Sequence, residues 1–172
     1  MKLTVKEAAV FSMLGAVMYC SKLLMEALPN IHLVGVLTMA YTLVYRKKAL
    51  YPIYIFVLIS GLLSGFSTWW VPYLYIWTVL WGVTMLLPKK LPRKAAPFIY
   101  MAVCGLHGLF YGVLYAPVQA LFFGLDFKGM LSWIAAGFTF DALHAAGNFI
   151  GALLVIPIAK LIMTAEKYSS RQ

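Results

Sequence analysis

Apolar residues fill this chain in long blocks separated by short polar or turn-forming stretches. Reading the blocks gives six segments: Lys6–Leu28, Ile31–Tyr45, Leu50–Phe66, Trp70–Leu87, Ala95–Phe123 and Phe138–Ile162. Turn signals stand between them: LPN at 28–30, YRKKALYP at 45–52, STWWVP at 67–72, PKKLPRKAAP at 88–97 and FGLDFKG at 123–129. A helix needs roughly 20 residues to cross about 30 Å of hydrocarbon. Some of the six are near the short limit, and the fifth is long enough to tilt or protrude. The pattern predicts an all-α integral membrane protein, with six transmembrane helices in one domain over residues 1–172.

Composition reinforces this. Of 172 residues, 63% are hydrophobic and only 11% charged, with a mean hydropathy of +0.88. Soluble domains carry about 25% charged residues, and a soluble fold this small could not hide so much apolar surface. The first apolar stretch continues at spanning length without a small-residue cleavage motif, so no cleavable signal is expected. No linker, low-complexity tract or second domain is visible.

The net charge of +9 would point to nucleic acid in a soluble protein. Its distribution points elsewhere. Six spans put both termini on one side, and that side collects twelve of the 14 Lys and Arg residues. Only Lys22 and Lys128 fall on the other. The bias predicts cytoplasmic termini, with the basic loops among anionic lipid headgroups and no nucleic-acid partner. Cys20 and Cys104 lie in different spans without metal or redox spacing and are expected to pack as small apolar residues.

The sixth segment contains FDALHAAGN, in which Asp141, His144 and Asn148 recur every three or four residues. At 100° per residue they fall within about 60° of arc. Taking Lys160 as the inner anchor puts Asp141 about 28 Å above it, near the outer face. The fifth segment presents His107, Tyr111, Tyr115 and Gln119 at intervals of four, beside Gly105, Gly108 and Gly112, which permit close helix approach. The fourth carries Trp69, Trp70, Tyr73, Tyr75, Trp77 and Trp81. Lys22 and Glu26 stand near the outer end of the first, and Asn30 and His32 follow in its loop. Membrane-embedded polar groups normally face protein or a water-filled cavity. Their concentration in the outer halves predicts a pocket open to the outside. Plainer readings compete: interhelical hydrogen bonding for the Asp141 stripe, an interfacial aromatic belt for Trp69 and Trp70, core packing for Trp77, Trp81 and His107, and an ion pair for Lys22 with Glu26.

On the first helix, Ala8, Ser12 and Ala16 form a small-residue ridge with Gly15 beside it, in the inner half. Such a ridge expects a close-packed partner, within this chain or outside it.

With this ridge, the six spans and the segments LPNIHLVG, YRKKALYP and WWVPYLYIWTVLWG, the whole chain resembles the substrate-binding S components of energy-coupling factor (ECF) vitamin transporters. Ser12 departs from the AxxxA-like pattern of their first helix. The resemblance implies an S-component-like bundle that binds a micronutrient near the extracellular surface. It implies docking through Ala8, Ser12, Gly15 and Ala16 onto a membrane coupling protein with two cytosolic ATPases, then toppling to release ligand inward. The chain has no GxxxxGK[ST] phosphate loop, so ATP is expected to be used by partner ATPases, with no cofactor in this chain. Tyr73, Trp77, Tyr111 and Tyr115 suit a flat ring. Asp141, His144, Asn148, Gln119, His107, Asn30, His32 and Lys22 are candidates to fix its polar edge. The expected ligand is a ring-bearing, water-soluble vitamin or related metabolite.

Two rivals are weighed. Asp141 and His144 could act as an acid–base pair or hold a metal in an intramembrane enzyme, but GxSxG, HExxH and clustered ligands are lacking. A small channel or secondary transporter would concentrate ionisable groups at the midplane of repeated helices. No internal repeat is apparent.

Overall fold

The computed structural model describes residues 3–28 and 30–169. Among these there is no strand. The helices are α1 (Val5–Leu24), α2 (Val34–Tyr45), α3 (Leu50–Ser64), α4 (Tyr73–Leu86), α5 (Ala96–Leu109), α6 (Tyr111–Phe123), α7 (Phe127–Gly151) and α8 (Val155–Ser169). Short 3-10 turns join α2 to α3 and α7 to α8.

Among the described residues, four continuous helical stretches are long and apolar enough to cross a membrane by length and composition: 5–24, 34–64, 96–123 and 127–168. This is fewer than the six expected. The fourth expected span survives only as α4, whose 14 residues fall below spanning length. The second and third share one stretch, yet it is not straight. Tyr41 donates to the Leu14 carbonyl, while Ile55 lies against Gly15. Both therefore sit at one level of α1, although about 21 Å of straight helix would separate them. The chain turns back at Arg46, whose φ of 53° breaks the helix.

Local chemistry sets several boundaries. Thr4 accepts from the Glu7 amide and Glu7 from the Thr4 amide, each at 3.1 Å, a capping box that starts α1. Gly124 ends α6 in the left-handed conformation (φ 64°). Asp126 then caps α7 by accepting from Gly129 N–H at 2.7 Å. The last expected span began at Phe138. The helix in fact starts at Phe127, because that cap initiates it eleven residues earlier.

The best-packed pairs are α5 with α7 and α1 with α3. At Gly108 a Cβ would lie 2.9 Å from the Ala145 nitrogen and the His144 carbonyl oxygen, so only glycine permits this crossing. The buried core is centred on α2 and α4, including Val34, Val36, Met39, Tyr41, Ile76, Trp77 and Leu80.

Candidate functional site

Polar groups gather at both ends of the bundle. At the end carrying the basic connections, the Tyr45 hydroxyl donates to Glu166 at 2.8 Å, and Glu7 pairs with Lys48. Arg46 donates to the Met85 carbonyl at 3.1 Å, and Trp81 Nε1 to the Arg46 carbonyl at 3.0 Å. The start of α1 and the last turns of α8 thus meet the same α2–α3 turn.

At the opposite end a cavity of about 190 Å³ opens between the α1–α2 connection, the end of α3, the start of α4, and α6 and α7. Six of the expected binding residues line it: Lys22, Asn30, His32, Tyr73, Tyr111 and His144. The His144 ring is 4.7 Å from the Tyr111 ring and 4.8 Å from that of His32, centroid to centroid. Lys22 Nζ stands 5.5 Å from the Trp69 ring and 5.9 Å from Tyr73, within cation–π range. Asn30 adopts φ 57°, and its amide nitrogen is 3.5 Å from the Phe140 carbonyl.

Trp77 forms the layer behind. It is fully buried and has ring contacts at 5.6–6.0 Å with Tyr73, His32, His107 and Tyr111. His107 sits behind Trp77, with Nε2 3.1 Å from the Ile76 carbonyl. A carbonyl can only accept, so Nε2 carries the proton and Nδ1, buried without a partner, is left as an acceptor.

The remaining expected residues do not reach the cavity. Asp141 accepts from the Gly112 amide at 3.0 Å, joining α7 to α6. A Cβ at Gly112 would lie 2.2 Å from its carboxylate, so glycine lets the acid reach the backbone. No hydrogen bond joins Asp141 to His144. Asn148 is buried against Gly35 of α2. Tyr115 donates to the Trp69 carbonyl at 2.8 Å and stacks on Trp133. Gln119 lies further along α6, outside the cavity wall.

What distinguishes this end is how many polar atoms have no partner. His32 Nδ1, Trp77 Nε1, His107 Nδ1, His144 Nε2 and both amide atoms of Asn148 are buried without a hydrogen bond among the described residues, as are Thr38 Oγ1 and Gln119 Oε1 away from the cavity wall. Each such atom costs about 1–3 kcal/mol. Burial, with the Lys22 charge second, pushes the His32 imidazole down to about 4. It is neutral at pH 7 and can present an acceptor as readily as a donor.

Three further lining residues with polar side-chain atoms escaped prediction as binding groups: Tyr19, Glu26 and Ser64. Tyr19 and Glu26 share a spacing of three and four with Lys22, a signal present in the sequence. Ser64 comes in through the α1–α3 pairing, its oxygen 3.4 Å from the Tyr19 hydroxyl, and carries none. Lys22 and Glu26 form no ion pair within 4 Å, because α1 ends at Leu24 and the helical register between them is lost.

On α1, Ala8 and Ser12 are exposed and Ala16 is partly covered. Gly15 is buried against Ile55, so it serves the α1–α3 contact rather than the free ridge. Among the described residues no three His, Cys, Asp or Glu side chains gather as a metal site. Cys104 is buried and Cys20 exposed.

No protein-family model, curated protein or solved structure matches the chain.

Proposed function

We propose that the chain is a six-pass subunit of the cell membrane that captures a small ring-bearing vitamin or related micronutrient at the extracellular side. An ATP-driven coupling module then completes delivery. The basic end is cytoplasmic and holds both termini, following the bias of Lys and Arg. Ala8, Ser12 and Ala16 meet the membrane coupling protein, which brings two cytosolic ATPases.

One observation carries this reading. At the end away from the basic loops, Tyr73, Tyr111, Lys22, His32 and His144 line one cavity, and His32 Nδ1 and His144 Nε2 are buried without a hydrogen-bond partner among the described residues. Ring faces there suit a planar ligand by stacking, and the unpaired nitrogens read its polar edge. A volume of about 190 Å³ is below the usual 300–1,000 Å³ of drug-sized pockets, which favours a compact ligand.

Mass spectrometry of small molecules carried through purification in mild detergent tests the proposal. A ring-bearing metabolite should co-purify with the native chain and be depleted at least tenfold from His144→Phe. Equal recovery from a folded His144→Phe protein, or a ligand without a ring, would refute it.

A further inference from the structure

A second cavity, of about 720 Å³, opens on the flank of the bundle and shares no residue with the first. Leu50, Tyr51, Tyr54, Ile55, Leu58 and Trp81 form its walls, and Lys47 stands at one end. The polar atoms of two wall aromatics are already engaged. The Tyr54 hydroxyl donates to the Leu74 carbonyl at 3.0 Å and is 2.9 Å from the Thr78 hydroxyl. Trp81 Nε1 is held by the Arg46 carbonyl. The groove therefore offers mainly hydrocarbon and ring faces along its length.

Its end is different. Of the three basic side chains in the α2–α3 turn, Arg46 is bound to Met85 and Lys48 to Glu7. Lys47 is exposed and makes no hydrogen bond or ion pair among the described residues. Length adds a third observation. From Lys47 to Leu58 the chain rises about 16–18 Å, close to the ~15 Å of one leaflet of hydrocarbon.

We infer that this flank binds one anionic phospholipid, its phosphate on Lys47 and an acyl chain along α3 toward Leu58. The wall asks for a hydrocarbon tail. The lone ammonium asks for an anion at headgroup level, where a zwitterionic lipid would bring a competing cation of its own. A protein helix in the same groove would leave Lys47 unpaired unless it carried an acid at one fixed position. The site rests on the membrane-embedded reading but is independent of what the first cavity holds.

The test is native mass spectrometry of the full chain in detergent, titrated with phosphatidylglycerol and with phosphatidylcholine of identical chains. Phosphatidylglycerol should be retained preferentially. Lys47→Ala should weaken it about fivefold, the effect of one cation at a membrane surface. Leu58→Trp, which narrows the groove without changing charge, should weaken both lipids. Unchanged phosphatidylglycerol retention in either variant, or equal retention of the two lipids by the native chain, would overturn the site. A photoreactive residue at position 58 should label lipid in native membranes, and labelling of protein alone would overturn it too. A chain that stays in solution without detergent or lipid would remove the membrane reading itself, an outcome distinct from these.

Discussion

The two ends of the bundle handle polar groups in opposite ways. At the basic end, Tyr45 with Glu166, Lys48 with Glu7, Arg46 with Met85 and Trp81 with Arg46 satisfy one another. At the other end, His32, His107, His144, Trp77 and Asn148 are buried with atoms that have no protein partner. Satisfied groups fasten helices together. Unsatisfied groups lower stability unless something else meets them, and two of these residues, His32 and His144, line the cavity while the others lie behind it or deeper.

The largest effect is expected where the two helices bearing His107 and His144 cross. Gly108→Leu would drive a side chain into the α7 backbone, costing about 3 kcal/mol and separating the cavity walls. Thermal denaturation in detergent and ligand recovery should fall together; a native-like melting curve would show that the crossing is not tight.

A matched pair of variants then tests the contrast directly. Tyr45→Phe removes a hydrogen bond to a carboxylate and should destabilise by about 1.5 kcal/mol while leaving ligand recovery intact. His144→Phe removes a nitrogen that has no partner and should leave the melting temperature unchanged or raise it, while depleting ligand. If His144→Phe destabilised as much as Tyr45→Phe, its Nε2 would be structural and the contrast would fail.

A pH dependence follows from His32. Its folded value of about 4 lies below the ordinary 6.5, so between these limits the unfolded chain takes up a proton that the native fold resists. The His32 contribution is complete above pH 6.5 and is lost as pH falls toward 4, by up to about 1.4 kcal/mol per unit. Replacing His32 with Phe should flatten melting temperature against pH across that window. An unaltered slope would assign the effect to other groups.

The smallest effect on the isolated protein belongs to the α1 ridge. Ser12→Trp, at an exposed position, should leave folding and ligand recovery within error. It should nevertheless abolish co-purification with the proposed coupling protein from native membranes. Retained co-purification would move the docking face elsewhere.

Helical content and the polar character of one end were legible from apolar blocks and i, i+4 spacing. The division of labour along one stripe was not. Asp141, His144 and Asn148 share a face of α7, yet each meets a different neighbour: the Gly112 amide, the cavity, and Gly35 of α2. Periodicity assigns a face but not what stands opposite each turn, which depends on where α2 and α6 cross. The early start of α7 was missed for a related reason. FGLDFKG reads as a turn, and its turn is real, but Asp126 within it caps a helix. The length of α4 was overestimated because aromatic residues look equally apolar in a helix and in the connection before it.

That early start has a geometric consequence. The helical stretch 127–168 contains 42 residues, about 63 Å if straight, against 40–45 Å for a whole bilayer with headgroups. Standing upright it would lift the α6–α7 tip into water, where Leu121, Phe123 and Phe127 are 80%, 65% and 70% exposed. In a bilayer those apolar side chains would favour a hairpin that leans along the surface over one held out in water.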